Sequence, residues 1–383
     1  MRRLALLCAA LVFVDTMLYA ALTPLLPHFA HEFGLSKAQA GLLVASYATG
    51  ALLAGLVGGV TATRLGPRRA VLVGLTLMAV ASIGFAFAGA FWSLVSARFV
   101  QGLASGFTWA GAFAWLLAVA PRERRGQLMG TAMGSATFGA MFGPVVGAAA
   151  ALAGRDVVFT ALAASSVALG AWALRIESAA GELPSVAAVG RALRNRTFLT
   201  GMLVMSLGSL LFGVLGVLGP LHLAAAGWSA AGIGAVWLCA AGFESIQAPI
   251  SGRLSDRHGA LRPTRVALLV AIPISLALSA GSRPLFYVPL IVLAAVFYAV
   301  FLTTSFALLA DGAEEVGLAQ GMSFGLMNVA WAAGAVTGPA AGGAIASATG
   351  DWIPFVLAAG ACAVAFAGLA QRWPRVARRR TAW

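Results

Sequence analysis

Three ionisable side chains, Asp15, Arg98 and Glu244, lie inside long apolar runs that are otherwise uncharged. An ionised group at the centre of a bilayer costs about 2.5–3.5 kcal/mol on insertion scales, so it is expected to face a cavity or a partner. A carboxyl group in such a cavity can carry a proton or balance the charge of a cationic ligand. Asp15 and Glu244 are therefore candidates for these two roles, and Arg98 is a candidate for controlling the charge of a nearby acid.

Each of the three also has a structural alternative. Asp15 lies about eleven residues into its run, which is ~17 Å deep at ~1.5 Å per residue, and Tyr19 shares its face one turn later. Its carboxyl group could simply be hydrogen-bonded to a neighbouring helix. Glu244, with Gln247 one turn below it, could pair with a polar group near the inner end of its helix, and Arg98 could satisfy carbonyl oxygens at a helix break.

The elements that position these residues must be membrane helices. Of the 383 residues, 61% are hydrophobic and 10% are charged, which leaves too few polar groups for the surface of a soluble domain. A bilayer-spanning helix needs ~20 apolar residues. The apolar runs predict an all-α integral membrane protein with twelve spans, at roughly 4–27, 36–62, 69–90, 91–119, 126–153, 156–175, 197–224, 229–252, 263–281, 284–310, 316–348 and 352–371.

The formal net charge of +13 has a strongly asymmetric distribution. If the N-terminus is inside, 21 of the 25 Arg and Lys residues lie on that side, including the Arg-rich tail 372–380, and only Lys37, Arg155 and Arg283 lie on the other. This positive-inside pattern predicts that both termini are cytoplasmic. It also argues against nucleic acid as a partner. Because the helices are rich in alanine and arginine almost replaces lysine, we expect a multi-pass protein of a bacterial inner membrane.

A glycine ladder occurs twice in the chain, 195 residues apart. Glycines four residues apart on a helix allow close helix packing, and the proline bends the helix. The duplication predicts two pseudo-symmetric six-helix bundles, 1–175 and 197–383, joined by a polar linker at 176–196 that forms a short amphipathic helix at the inner membrane surface. The two copies of the spacing G-x8-G-x3-GP-x2-G are Gly130, Gly139, Gly143, Pro144 and Gly147, and Gly325, Gly334, Gly338, Pro339 and Gly342.

Three motifs make the whole chain resemble the major facilitator superfamily. The first is the loop motif G-x3-D-R-x-G-R-R, present in modified form at Gly59, Arg64, Gly66 and Arg69, and more faithfully at Gly252, Asp256, Arg257 and Gly259. The second is "RFVQGLASG" in the fourth span, with Arg98 and Gln101, and the third is the ladder of the fifth span. The ladder and the sequence "FVDTMLYAALTPLLP" around Asp15 resemble the drug/proton antiporter branch.

This resemblance implies export rather than uptake, proton coupling through Arg98 together with the acids Asp15 and Glu244, and conformational gating by the loop-motif and ladder residues. Thr63 stands where the first loop motif has an aspartate. That acid meets a positive helix N-terminus of the other half, so we expect Asp256 to matter more than Thr63.

The substrate cavity is expected between central residues of the two bundles. Aromatic rings and methionine adapt to flat, apolar ligands, and tyrosine or tryptophan can hold a cation on its ring face. The scarcity of buried Asn, Gln and charged groups favours a lipophilic substrate over a sugar. The candidate lining residues are Tyr19, Tyr47, Gln101, Trp109, Met133, Phe138, Phe212, Trp237, Phe243, Gln247, Phe297, Tyr298, Met327, Asn328 and Trp331.

The chain has a single lysine, Lys37, so no nucleotide-binding G-x4-GK-[ST] loop is present. No cofactor, metal site or enzymatic constellation is predicted. The favoured hypothesis is a monomeric, proton-coupled exporter of lipophilic, cationic small molecules, with protons, substrate and membrane lipid as its partners. The alternatives are an exporter of sugars, amino acids or an endogenous metabolite, and a transporter-like sensor that binds without turnover.

Overall fold

The computed structural model describes residues 1–121, 125–178, 186–281, 283–318 and 320–370, and it is α-helical throughout these ranges with no β-strand. The tail beyond residue 370 and the linker residues 179–185 lie outside the described part. The described residues form α1 (Arg2–Ala20), α2 (Leu22–Glu32), α3 (Lys37–Arg64), α4 (Pro67–Ala86), α5 (Phe91–Val119), α6 (Arg125–Ala153), α7 (Arg155–Leu174), α8 (Val186–Ala192), α9 (Arg196–Ala225), α10 (Ala230–His258), α11 (Leu261–Ser279), α12 (Pro284–Glu315), α13 (Gln320–Thr349) and α14 (Trp352–Ala370).

Twelve crossings within the described ranges are long and apolar enough to span a membrane, which confirms the predicted number. Most helix ends agree with the prediction to within two residues. The largest differences are the ends of the first crossing, of α10 and of α12, at Glu32, His258 and Glu315, beyond the predicted ends at 27, 252 and 310. Hydropathy marks the apolar part of a helix, whereas these helices continue through charged residues.

The first crossing consists of α1 and α2, which are separated only at Ala21. Pro24 and Pro27 follow closely, and a proline in a helix lacks the N–H that would bond to the carbonyl four residues earlier. The helix is therefore interrupted just after the turn that contains Leu18 and Tyr19.

The first six crossings pack mainly on one another, and so do the last six. In the first group α5 packs along α3 and α4, and α6 packs along α1; in the second, α9 packs along α12 and α13. The two groups meet chiefly where α3 contacts α13 and where α6 contacts α10.

The glycine ladders serve contacts within each group. A methyl group at Gly139 or Gly147 would overlap the carbonyl of Phe13 or Ala21, because α6 lies directly against the first crossing. A methyl group at Gly334 would overlap the Ser206 carbonyl, because α13 lies directly against α9. The remaining glycines of the two ladders follow the same division: Gly143 meets Ala20, Gly338 meets Leu210 and Gly342 meets Val214, whereas Gly130 and Gly325 have nothing within 4 Å.

Contacts between helix ends define two faces of the molecule. On the linker face, Arg68 donates to the Ile176 carbonyl and Trp115 to the Glu177 carbonyl, at 3.3 and 3.0 Å. On the opposite face, Arg155 bonds Glu32 at 3.4 Å, and it also donates to the Ala88 carbonyl.

The two ends of the linker are attached to different groups of helices. Residues 176 and 177 contact the first group through the bonds to Arg68 and Trp115. Helix α8 buries Ala188 and Ala192 against the second group, and Asn195 donates to Glu315 of α12 at 2.7 Å.

Candidate substrate cavity

A cavity of about 840 Å³ lies between the two groups of helices. Its wall is mainly apolar, and Glu244 and Trp331 line it from one group while Asp15 and Arg98 line it from the other. It reaches the linker face, where Thr63 and Arg191 lie on its wall. The arrangement can hold an organic molecule of drug size.

Backbone contact closes the cavity at the opposite face. A methyl group at Gly41 of α3 would overlap the Pro339 carbonyl of α13, and one at Gly343 would overlap the Lys37 carbonyl. The Lys37 ammonium forms an ion pair with Asp351 at 2.5 Å.

Three further contacts support this closure. The Ala38 amide donates to Ser347 Oγ at 2.9 Å. The ring centroids of Tyr19, in the first crossing, and Trp331, in α13, lie 5.5 Å apart. A methyl group at Gly234 of α10 would lie 3.0 Å from the Pro144 carbonyl oxygen of α6, closer than ordinary van der Waals contact. The structure is therefore closed at the opposite face and has its cavity towards the linker face.

Near the linker face, a pair of aromatic rings crosses between the two groups. Phe113 of α5 stacks on Phe324 of α13 with ring centroids 5.4 Å apart and an interplanar angle of 14°. Both rings line the cavity. The contact here is made by side chains rather than by backbone.

Asp15 is 3% exposed at the cavity wall and is held by α5. Its Oδ2 accepts a hydrogen bond from Ser105 Oγ at 2.8 Å and another from Trp109 Nε1 at 2.6 Å. Its Oδ1 is buried and has no hydrogen-bond partner among the described residues. The two oxygens of the carboxyl group therefore have different surroundings.

Arg98, 1% exposed, reaches the interruption of the first crossing. Its terminal nitrogens donate to the carbonyls of Leu18 at 3.1 Å and Tyr19 at 3.2 Å, and to Gln101 Oε1 at 3.0 Å. Its guanidinium carbon lies 4.8 Å from the centre of the Tyr47 ring. It forms no ion pair with Asp15, so the structure contains the carbonyl contacts of the structural alternative.

Helix periodicity explains why Asp15 and Arg98 are served by one helix. Arg98, Gln101, Ser105 and Trp109 follow one another at intervals of three and four residues, so they form a stripe on α5 that faces the first crossing. Sequence reasoning singled out three of these residues and missed Ser105. The spacing from Arg98 would have identified it.

Glu244 lines the cavity from α10 on the other side. Within the described part of the chain no hydrogen bond or ion pair involves its carboxylate. The structural alternative, a pairing of Glu244 with a polar group near the inner end of its helix, is therefore not found among the described residues. Gln247, one turn below, bonds to Ser251 of the same helix.

Nine of the fifteen candidate lining residues line the cavity, among them Tyr19, Tyr47, Trp109, Met133, Asn328 and Trp331. Phe212, Trp237 and Met327 line it as well. These residues come from both groups of helices, as expected for a cavity at their interface.

The other candidates do not line the cavity, contrary to the prediction. Phe138 is 59% exposed on the outside of α6, because the cavity face of that helix recurs at Met133, Thr137 and Ala140 and leaves it out. Three of the others form hydrogen bonds away from the cavity: Gln101 with Arg98, Tyr298 with Ser275 at 2.7 Å, and Gln247 with Ser251. Of the remaining two, Phe297 packs on the hydrophobic core and Phe243 is exposed on the outside of the protein.

Much of the remaining wall is alanine. Every helix of the first group that reaches the cavity contributes at least one small residue, and α10 and α12 do the same from the second group. The alanines on the wall include Ala51, Ala110, Ala114, Ala136, Ala140, Ala241, Ala248, Ala295 and Ala299.

The two loop motifs lie at the linker face. Gly66 and Gly259 have φ angles of 92° and 78° at the bends after α3 and α10, a conformation that favours glycine. The charged members Arg64, Arg69, Asp256 and Arg257 are exposed, without ion-pair partners in the described ranges. Gly59 and Thr63 line the cavity, and a methyl group at Gly59 or Gly252 would meet nothing within 4 Å.

Two further features were not anticipated. The ion pair between Lys37 and Asp351 joins residues 314 positions apart, which no local pattern reveals. Arg191 belongs to the linker, for which an amphipathic helix facing the inner membrane surface was expected, but it lies at the cavity and donates to the Val316 carbonyl at 3.4 Å.

Comparison with known proteins gives the family. The model of the family described as the Major Facilitator Superfamily matches residues 7–324. An uncharacterised MFS-type transporter of Yersinia enterocolitica is 28% identical over 279 residues, which are 72% of each chain. The quinolone resistance protein NorA of Staphylococcus aureus is 29% identical over 107 residues, which are 28% of each chain.

Solved structures share the fold at low identity. A bacterial homologue of the human lysosomal transporter Spinster, in an inward-facing and unoccupied conformation, gives a TM-score of 0.78 at 15% identity and covers 96% of this chain and 95% of its own. A D-xylose–proton symporter gives 0.76 at 12% identity, with 96% of both chains covered.

Proposed function

Because this chain belongs to the major facilitator superfamily, we propose that it exports lipophilic, cationic small molecules from a bacterial cell in exchange for protons. The observation that supports this most is the cavity itself. It is mainly apolar and aromatic, yet it contains one carboxyl group from each group of helices, Asp15 and Glu244. An apolar wall with few charges suits a lipophilic cation.

We propose that the linker face is cytoplasmic. It contains most of the arginines, in agreement with the positive-inside rule, and this orientation places both termini in the cytoplasm. The closed opposite face then faces outward, and the cavity is open to substrate from inside the cell.

The two groups of helices are proposed to be two bundles that rock against each other. Each linker end is attached to a different group, so the groups can separate at the linker face without detaching the linker. Opening of the opposite face requires α3 to separate from α13. Closure of the linker face requires the end of α5 near Phe113 and the start of α13 near Phe324 to come closer together.

The proton is proposed to bind at Asp15. Ser105 and Trp109 donate only to Oδ2, so a proton can attach to Oδ1 without breaking either bond. Arg98 keeps the interrupted part of the first crossing in place beside it. Substrate and proton then favour different access states, which couples their movements. One charge moving through 100 mV supplies ~2.3 kcal/mol, enough for roughly a fifty-fold substrate gradient.

The test uses the purified protein, as a monomer, in vesicles that contain a pH-sensitive dye and have an imposed proton gradient. A lipophilic cation is expected to evoke proton movement through the wild type and not through Asp15→Asn. Binding of the cation without any proton movement in the wild type would contradict the proposal and favour a sensor.

A further inference from the structure

The two cavity carboxyl groups have different surroundings. Asp15 is 3% exposed and receives two hydrogen bonds from α5. Glu244 is half-buried on the wall of α10, and none of the hydrogen bonds or ion pairs of the described residues includes it. One acid is enclosed by its own helix group, and the other is presented to whatever enters the cavity.

The cavity arginines do not neutralise Glu244. The guanidinium of Arg98 is occupied by the carbonyls of Leu18 and Tyr19, and that of Arg191 donates to the Val316 carbonyl. Neither comes within 4.0 Å of the Glu244 carboxylate, so its charge is left for a ligand.

The wall beside Glu244 has the shape of an apolar trough. Trp237, Ala241, Glu244 and Ala248 follow at helical spacing on one face of α10, and all four line the cavity. The alanines leave room on both sides of the carboxylate. The Trp237 ring leans on α9 beside Gly219, where there is no side chain, so it offers a fixed aromatic surface two turns away.

We propose that Glu244 is the residue that selects cationic substrates, and that it binds the ammonium group of an arylammonium compound whose rings lie along Ala241 and Trp237. Asp15 is then the proton site alone. The two tasks are divided between the two groups of helices. This inference rests on the proposed function, and it assigns a separate role to one of the two acids.

The test compares two ligands of the same shape. One is a biphenyl with a trimethylammonium group, whose charge does not titrate, and the other is the same biphenyl with a tert-butyl group. Their dissociation constants are measured on the full-length protein for the wild type, Glu244→Gln and the control Glu177→Gln, which removes an exposed acid outside the cavity.

We expect Glu244→Gln to weaken binding of the trimethylammonium compound by about ten- to a hundredfold, because the attraction between the carboxylate and the quaternary ammonium charge is lost in a partly desolvated site. Binding of the tert-butyl compound should change much less, and Glu177→Gln should leave the ratio of the two constants unaltered. Restoring an acid one turn away, in Glu244→Gln combined with Ala248→Glu, should recover part of the preference for the cation.

Two results would overturn the inference while the proposed function stands. One is equal weakening of both ligands by Glu244→Gln, and the other is no weakening of either ligand, each with cation-evoked proton movement intact in the wild type. Absence of that proton movement from the wild type would instead remove the proposed function and the inference together. If Glu244→Gln does not fold, Glu244→Met, which also removes the carboxylate, is used, and an unchanged ratio of the two constants in that variant overturns the inference.

Discussion

The guanidinium of Arg98 reaches the carbonyls of Leu18 and Tyr19 immediately before the break at Ala21. A planar fork with several donors can bridge two carbonyls, whereas the single ammonium of lysine is a point charge. The contacts at position 98 therefore require the planar geometry of a guanidinium as well as its positive charge.

We expect Arg98→Lys to lower the stability of the protein by about 1.5–3 kcal/mol, the range for a lost hydrogen bond to a charged group. The measurement is the thermal unfolding midpoint in detergent. Arg283→Lys, at an exposed position just before α12, is the control and should change it less. A variant at residue 98 as stable as the wild type would show that charge alone is needed there.

At the scale of single residues, the sequence was sufficient to identify the buried ionisable side chains but not their hydrogen-bond partners. Asp15 and Glu244 were recognisable because a charge in an apolar run needs a reason. That Trp109 donates to Asp15, or that Gln101 and Tyr298 are turned away from the cavity, depends on the rotation of each helix about its axis. Apolar residues surround these helices on all sides, so their sequences do not give that rotation.

The glycine ladders show how one pattern can contain positions with opposite requirements. At Gly334 a methyl group would overlap the Ser206 carbonyl of α9, and at Gly325 in the same helix it would meet nothing within 4 Å. The sequence places both in one motif, and only the packing separates them.

We expect Gly334→Ala to destabilise the protein by about 1–3 kcal/mol, because the backbones of α9 and α13 would have to separate. Gly325→Ala should be neutral or stabilising, since alanine favours helix by up to ~1 kcal/mol over glycine. Thermal unfolding midpoints of the two variants check this, and equal midpoints would contradict the packing.

The loop motifs give a second comparison between corresponding elements. Asp256 of α10 is an exposed acid, whereas Thr63 of α3 has no charge, and its hydroxyl bonds the Val60 carbonyl of its own helix at 3.0 Å. An acid can bind a positive helix N-terminus when the linker face closes, and threonine contributes little to that contact.

Asp256→Asn should therefore reduce transport about tenfold, and Thr63→Ala should leave it nearly unchanged. Initial rates of substrate-evoked proton movement in vesicles provide the comparison. Equal effects of the two substitutions would show that the Asp256 carboxylate does not hold the linker face closed.

At the scale of the whole molecule, α3 and α13 close the face opposite the linker by direct contact along a seam that contains Lys37, Ala38, Ser347 and Asp351. Ala38 and Ser347 are hydrogen-bonded across this seam at 2.9 Å, and the ion pair of Lys37 with Asp351 lies beside them. If alternating access is correct, this seam must open in every cycle.

A disulfide between Ala38→Cys and Ser347→Cys, in a chain from which the exposed Cys239 has been removed, should stop transport by at least about tenfold. Reduction should restore it, and each single cysteine variant should remain active under oxidation. Undiminished transport by the fully cross-linked protein would exclude opening at this seam.

The number of crossings and the family could be predicted from sequence because hydropathy and the three motifs are local signals. The contact of Gly41 with Pro339 and the pairing of Lys37 with Asp351 could not. These contacts join distant parts of the chain, so a pattern along the sequence does not record them.

The alanine-rich wall of the cavity has a consequence for how this protein can evolve. A larger side chain at Ala110, Ala114 or Ala241, which are only partly buried on the cavity wall, would extend into the cavity. Single nucleotide changes convert alanine codons to valine or threonine codons. Gly41 and Gly343 offer no such freedom because backbone lies against both. Under selection by a new toxic compound, the spectrum of exported molecules should therefore diversify at the wall, while the seam stays unchanged.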